Sequence, residues 1–323
     1  MIIYILNRLI QAALIVWAVL TVTFILLQLA PGDPASMYIR PEIDPAIVAN
    51  IREQLGLNLP PFQQYLIWLK AFASGNFGFS FSHLRPVGKI FAEAIPNTMQ
   101  LTGIVLVLQL VGGILVGTAL TVIRRKSVRS LLNMSVLVVY SAPGFLLALI
   151  ALWIFSVKLG WLPPSHMRSL IVDDNFWAIL ADRAKHLILP AGILSLPSIA
   201  YTAKIFHASL REALAQDYIL AARAFGFSNR KILFKYAMRN ALLPLLSSIG
   251  LFLPFLLGGT VIIESIFAWP GMGKITVDAI FSHDYPIILS TTFIAALAVV
   301  IGNLLADLSY LIVDPRVKPA YES

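Results

Sequence analysis

Residues 99–123 read MQLTGIVLVLQLVGGILVGTALTVI and are followed at once by Arg124, Arg125 and Lys126. The run carries no charge over its whole length. An α-helix rises about 1.5 Å per residue and needs about 20 apolar residues to cross a hydrocarbon layer. Lipid offers no partner for backbone N–H and C=O groups, so such a run must satisfy them internally. It is read as a transmembrane helix. Gly113 and Gly117 lie four apart on one face, where they allow another helix to approach closely.

Five more apolar runs follow the same logic, near 8–30, 130–157, 187–207, 241–266 and 288–312. The chain is 59% hydrophobic with a mean hydropathy of +0.83, well above the roughly 45–50% apolar content of soluble domains. This excludes a soluble core and predicts an all-α membrane protein with six transmembrane helices. The first run, Leu9 to Ala30, is too long for the core of a signal peptide. No small-x-small cleavage site follows it before Pro31-Gly32-Asp33-Pro34, so it is read as a retained helix. Pro143, Pro190, Pro197, Pro244 and Pro254 each remove a helical hydrogen bond and can kink a span. Gly258-Gly259 suits a further close approach. There is no cysteine, which excludes disulfides and thiol chemistry. The five histidines, at 83, 166, 186, 207 and 283, show no metal-binding spacing.

Six spans place both termini on one side. That side carries 14 basic residues against four acidic ones, and the other side carries ten of each. The basic side is cytoplasmic by the positive-inside rule. The net charge of +8 is therefore topological; it suits anionic lipid headgroups and does not point to nucleic acid. The expected division is an N-terminal helix at 1–30, an external cap at 31–95, a five-helix core at 96–312 and a cytoplasmic tail at 313–323. Within the cap, the aromatic stretch Gln64-Tyr65-Leu66-Ile67-Trp68-Leu69 and the turn-rich Gly75-Asn76-Phe77-Gly78-Phe79-Ser80 predict short helices joined by turns at the membrane interface. The other external segments contain Trp161-Leu162-Pro163-Pro164 with Asp173-Asp174, and Trp269-Pro270-Gly271-Met272-Gly273.

The cytoplasmic segment 204–243 is the candidate functional element. Leu214, Tyr218, Ala221 or Ala222, and Phe225 recur at helical spacing and predict one apolar face. Gly226 then ends the helix, since glycine enters the left-handed conformation cheaply. Ser228 is placed to cap a second helix over 229–243, studded with Arg230, Lys231, Lys235 and Arg239. A basic connector lying on lipid and a docking helix for a soluble partner both fit these features.

The segment Asp217-Tyr218-Ile219-Leu220-Ala221-Ala222-Arg223-Ala224-Phe225-Gly226 resembles the EAA loop of ABC importer permeases. Leu220 replaces the usual Glu, and Leu243-Pro244 closes the loop farther downstream; both departures resemble the peptide/nickel branch. The resemblance extends along the chain through Arg8-x-x-Gln11, Pro31-Gly32-Asp33-Pro34, Pro96-x-Thr98, Glu264-x-x-Phe267-x-Trp269-Pro270-Gly271-x-Gly273, Asp284-Tyr285-Pro286 and Asp314-Pro315-Arg316. It is similar to the first permease of dipeptide and oligopeptide importers. The resemblance implies a type I ABC importer permease architecture in a bacterial inner membrane. Asp217, Tyr218, Ala221, Ala222, Arg223, Ala224, Phe225, Gly226 and Phe227 would then dock an ATPase and couple it to transport. The partners implied are a second homologous permease, two ABC ATPases, an extracytoplasmic substrate-binding protein and membrane lipid, with no nucleic acid. No cofactor is expected in this chain; ATP and Mg belong to the ATPase subunits, and the chain itself is no enzyme.

The stretch Gly271-Met272-Gly273-Lys274-Ile275-Thr276 has a passing look of a phosphate loop. Ala268 and Ile275 stand where that motif needs Gly and Ser or Thr. Within the spans, Asn303, Asp307 and Tyr310 share one helical face, and Glu264 lies near the outer end of the fifth run. Such groups face protein or water, so Glu264, Asn303 and Asp307 are candidates for the translocation path or a gate, with hydrogen bonding between helices as the alternative. A secondary transporter would show paired membrane charges or matched broken helices in two halves, and neither is evident. ABC import of nickel chelates or another small solute is also compatible with the residues.

Overall fold

The uncharged run at 99–123 is the later part of a longer helix. A computed structural model describes residues 2–29, 58–80, 82–171, 175–245 and 260–313. In chain order, α1 is Ile2–Leu29 and α2 is Pro61–Ala73. Two-residue strands β1 (Phe79–Ser80) and β2 (Arg85–Pro86) pair antiparallel. Then come α3 (Val87–Val122), α4 (Lys126–Ser141), and α5 (Gly144–Ala151), which continues as a π-helical turn over Leu152–Lys158. α6 is Phe176–Leu214 and α7 is Asp217–Ala224. α8 (Asn229–Lys231) runs through a π segment (Ile232–Ala237) into α9 (Met238–Ala241). α10 is Met272–Phe281 and α11 is Tyr285–Val313.

Ile10–Leu29 of α1, α3, α6 and Tyr285–Leu304 of α11 are each long and apolar enough to cross a membrane. The pair α4 and α5 passes the same test, but it is bent by 103°. The break lies at Ala142-Pro143, where proline supplies no N–H and holds its predecessor out of the helical region; Ala142 is extended, with ψ 134°. The expected run at 130–157 is thus a broken span or a re-entrant loop. Of the expected run at 241–266, residues 243–245 and 260–266 are helical. Residues 246–259, with Pro254 and Gly258-Gly259, lie outside the described residues. So do Pro31-Gly32-Asp33-Pro34, Asp173-Asp174, Asp314-Pro315-Arg316 and the side chains of Asp307 and Tyr310.

The chain divides into two compact units, one of residues 1–98 with 270–300, the other of 99–269 with 301–323. The first is organised by aromatic packing. Phe24 of α1 stacks on Trp68 of α2 at 5.7 Å and meets Tyr65 edge-on at 5.4 Å. Trp68 continues to Phe72, which meets Phe77 and Phe293 edge-on at 4.9 and 5.1 Å. These offset and edge-to-face arrangements satisfy the ring quadrupoles. The expected interfacial helix is therefore α2, fixed to α1 also by a Thr21–Tyr65 hydroxyl contact of 2.8 Å. Gly75 and Gly78, at φ +79° and +80°, turn the chain from α2 into β1.

Asp284 is fully buried ahead of α11. Its Oδ2 accepts hydrogen bonds from Ser80 Oγ (2.6 Å), Ser82 N (2.9 Å) and Ser82 Oγ (2.7 Å). Residues about 200 positions apart are thereby clamped. Removing a buried acceptor strands its donors at a cost of about 1–3 kcal/mol for a neutral group and more for a charged one. Asp284→Ala is expected to lower stability by about 3 kcal/mol on that basis and to speed tryptic cleavage at Lys89, while Asp284→Asn retains part of the protection.

In the second unit α3 packs on α6 through glycines. A Cβ on Gly113 would lie 2.4 Å from Thr202 Cγ2, and one on Gly117 would lie 2.7 Å from the Ala203 carbonyl oxygen. The Gly113/Gly117 face is therefore a helix–helix contact, and Gly112, 2.9 Å from Ile199 Cδ1, extends it. Buried Gln109 donates to Thr202 Oγ1 at 3.1 Å beside this seam. α6 is one helix through Pro190 and Pro197.

Sequence and structure differ in two further places, and a third stretch gains its role. α3 starts at Val87, twelve residues before the apolar run, and contains Pro96; its first turns, with Lys89 and Glu93, carry charge and so escape a hydropathy reading. The all-helical expectation gives way locally to the β1–β2 ladder, which is too short to count as a sheet layer. The Gly271-Met272-Gly273 stretch starts helix α10, and the Met272 N–H donates to Thr98 Oγ1 at 2.8 Å. Gly271 precedes the first turn, and the cap on Met272 comes from Thr98.

Candidate functional site

The candidate element is α7 with its two flanking turns, inside the second unit. α6 stops at Leu214, and the chain resets through Ala215 and Gln216, which is extended at ψ 153°. Asp217 sits in the first turn of α7 and Arg223 in the last. Both charges complement the helix dipole. At the end of α7 the Gly226 N–H donates to the Arg223 carbonyl (2.9 Å) and the Phe227 N–H to the Ala222 carbonyl (3.1 Å). With Gly226 at φ +77°, this is a Schellman cap. No atom lies within 4 Å of a Cβ built on Gly226, so glycine is required there by backbone conformation and not by space. Ser228 accepts from the Lys231 N–H at 3.4 Å and opens α8 as expected.

The expected apolar face of this helix is corrected by the structure. Leu214 belongs to α6 and Tyr218 to α7, with the reset between them. The inward residues are Ile219 (0% exposed) and Ala222 (5%). They enter a buried cluster with Phe206, Leu210, Ile232 and Leu245. Phe225 is 79% exposed and Leu220 60%; Tyr218, Ala221, Arg223 and Ala224 are also exposed. Ala222 therefore seats the helix, while Leu220, Ala221, Ala224 and Phe225 present an outward apolar surface. Leu220 and Ile219 are absent from the set expected from sequence. Restarting the helical phase at Asp217 places Ile219 and Ala222 at i and i+3, the spacing that would have found them.

The flank is locked by side chains. Asn240 Nδ2 donates to the Tyr218 hydroxyl at 2.8 Å, tying α7 to α9. Phe227 stacks on Tyr236 at 5.7 Å, and Lys231 Nζ lies 3.9 Å from the Phe227 ring centre. The cation is drawn to the negative face of that ring. α7 is thus closely seated by its inner side and has an apolar outer face. Its exposed residues are Asp217, Tyr218, Leu220, Ala221, Arg223, Ala224 and Phe225.

The intramembrane candidates stand on other elements. Glu264 is fully buried, and its carbonyl oxygen accepts from the Trp269 N–H at 2.8 Å. Asn303 is exposed on α11, with Asp307 one turn later.

Comparison with known proteins agrees with this architecture. Residues 109–319 match the family model "Binding-protein-dependent transport system inner membrane component", and residues 1–102 match the corresponding N-terminal model. The "Oligopeptide transport system permease protein AppB" of Bacillus subtilis is 36% identical over 316 residues, covering 98% of this chain and 99% of its own. The "Probable peptide ABC transporter permease protein y4tP" of Sinorhizobium fredii is also 36% identical, over 98% of this chain and 99% of its own. Among solved structures, an inward-facing MetNI methionine ABC transporter aligns with a TM-score of 0.57 at 17% identity, covering 70% of this chain and 96% of that one. An amino acid ABC transporter aligns at 0.51 and 17%, covering 70% and 93%.

The mostly helical, membrane-crossing fold is thus that of type I ABC importer permeases. The chain belongs to the family of binding-protein-dependent transport system inner membrane components. It is a multi-pass inner-membrane transport subunit of an ATP-driven importer and not an enzyme; membership implies work with an ATPase and a substrate-binding protein.

Proposed function

We propose that this chain pairs with a second, homologous permease to form the translocation path for short peptides. In this reading six helices cross the membrane, both termini are cytoplasmic, two ATPases dock below and an extracytoplasmic binding protein delivers cargo above. ATP and Mg are bound by the ATPases alone. The peptide assignment follows from the relatives, AppB and y4tP, which are described as peptide permeases.

The observation that carries the coupling assignment is the two-sidedness of α7. Ile219 and Ala222 anchor it in the permease, while Leu220 and Phe225 stand exposed beside Asp217 and Arg223. An exposed apolar cluster on a rigid element, rimmed by charge, suits a protein partner. Force is transmitted only if the ATPase binds this surface differently in its two nucleotide states, because equal affinity shifts nothing. Closure of the ATPases then moves α7, and the helices anchored to it change which side of the path is open. Glu264, Asn303 and Asp307 are proposed as path or gate residues; for buried Glu264 this role requires movement of its helix.

The test is co-purification with the ATPase. Leu220→Asp/Phe225→Asp is expected to leave the permease monodisperse and to reduce retained ATPase at least 10-fold, with loss of uptake. Phe281→Asp, at an equally exposed residue on α10 outside the proposed surface, is expected to retain the ATPase. Full ATPase retention by the double variant would refute the assignment of α7 as the docking element.

A further inference from the structure

A second site is formed within the second unit by residues of α3, α4 and α6. Lys126, Arg129, Ser130 and Asn133 recur at i, i+3, i+4 and i+7 along α4, so they share one face. That face lines a cavity of about 580 Å³. Across it stand His207 and Arg211, one turn apart on α6. Thr121, from the last turn of α3, contacts His207 Nδ1 through its hydroxyl at 2.8 Å. No carboxylate lines the cavity, and none pairs with Lys126, Arg129 or Arg211 among the described residues. The start of α4 has no side-chain cap, so its positive dipole end adds to the same field.

Three convergent cations with hydroxyl and amide donors form an anion site, and the surroundings specify which kind. On the neighbouring face of α4, Leu131, Met134 and Val138 recur at i, i+3 and i+7, and all are exposed. They run along α4 into its apolar later part. A free anion has no use for that strip. A phospholipid uses both parts, its phosphate among the cations and its acyl chains along the leucine, methionine and valine side chains.

We propose that this cavity is a specific site for an anionic phospholipid of the cytoplasmic leaflet, with its phosphodiester held by Arg129, Arg211 and Lys126. Basic pockets between membrane helices suit such headgroups, and each cation near the surface contributes about 5-fold in affinity. Because α6 leads directly into α7, an occupied site braces the helix on which α7 is carried.

The experiment uses the purified importer complex in neutral detergent and a fluorescent short-chain phosphatidylglycerol. Saturable binding is expected, displaced by unlabelled short-chain phosphatidylglycerol but not by the phosphatidylcholine analogue or by inorganic phosphate at matched ionic strength. Arg129→Gln/Arg211→Gln is expected to weaken binding about 25-fold, from 5-fold per cation. Arg124→Gln/Arg125→Gln, with the same change in charge next to the cavity, should change it less than 2-fold. Equal losses in both variants would mean diffuse attraction and overturn the site. Displacement by inorganic phosphate would make it a free-anion site and overturn the lipid assignment. Should the first variant fail to fold, the displacement series on the unaltered complex decides alone. Asn133→Cys, in a chain without cysteine, should be protected from a polar thiol reagent by phosphatidylglycerol; protection in its absence means that a protein partner covers the cavity, and sinks the proposal.

Discussion

Gly117→Leu yields no folded importer complex, whereas Gly103→Ala on the same helix is tolerated: this contrast is expected in size-exclusion profiles and thermal melts of the detergent-solubilised complex. The reason is geometric. Even the first carbon of a side chain at 117 would sit 2.7 Å from the Ala203 carbonyl oxygen, 3.1 Å from Phe206 Cδ1 and 3.2 Å from the His207 nitrogen. Two of those three atoms are backbone, so relief requires α6 to move as a body. Overpacking commonly costs about 1–3 kcal/mol where side chains can adjust, and here they cannot. At Gly103 no heavy atom lies within 4 Å of where a Cβ would stand, so alanine there only gains helix propensity, worth about 1 kcal/mol. The seam also provides an internal control. At Gly113 the obstruction is Thr202 Cγ2 and Cβ, both side-chain atoms. Thr202→Gly should therefore rescue much of Gly113→Ala, less the lost Gln109–Thr202 hydrogen bond of 3.1 Å. No side-chain truncation should rescue Gly117→Ala. If Gly117→Ala melts like the unaltered chain, the close α3–α6 seam is not present in the membrane.

The same seam shows what a sequence can disclose. Gly113 and Gly117 are legible because glycine at i and i+4 in an uncharged helix has few uses besides close approach. Their partner on α6 is not legible, because Thr202 and Ala203 have no local mark of what they face. Four of the spans are clear for a similar reason, since lipid imposes one requirement on every residue. Where that requirement stops, the reading weakens. The start of α3 at Val87 is hidden by Lys89 and Glu93, and the 103° break at Pro143 is legible as a proline but not as an angle. Asp284 and Ser80 read as unrelated polar residues until the fold brings them within 2.6 Å. At the candidate site the segment is found through Gly226 and the Asp217–Arg223 pattern, and Tyr218, Ala221 and Phe225 of the expected face are exposed, yet inward Ile219 is missed and the choice between Ala221 and Ala222 is left open. A helix restart costs only two residues in sequence, Ala215 and Gln216, but it rotates every later side chain relative to a continuous helix. Local composition determines where α7 lies; only tertiary packing determines which side it presents.

Ala221 outside and Ala222 inside lead to a pair of adjacent substitutions with different structural effects. Ala222→Glu is expected to destroy the lever, and Ala221→Glu to leave it folded but blunt. Ala222 is 5% exposed among Ile219, Phe206, Leu210 and Ile232. A carboxylate driven into that cluster meets only apolar neighbours, and burying a charge without a partner costs several kcal/mol or forces the segment out of its seat. α7 should then detach, exposing residues 215–228 to protease, removing the ATPase from the purified complex and lowering uptake at least 100-fold. Ala221 is exposed on the outer side, so glutamate there leaves the core untouched and introduces a charge between Leu220 and Ala224. Protease resistance and thermal stability should match the unaltered complex, while ATPase retention falls about 10-fold, the effect of roughly 1.4 kcal/mol lost at the interface. The two variants thus separate seating from docking. A protease-resistant, ATPase-bound complex carrying Ala222→Glu would place Ala222 on the outside and overturn the arrangement of α7. A protease-resistant complex carrying Ala221→Glu with full ATPase retention and full uptake would instead preserve that arrangement and remove its role in coupling.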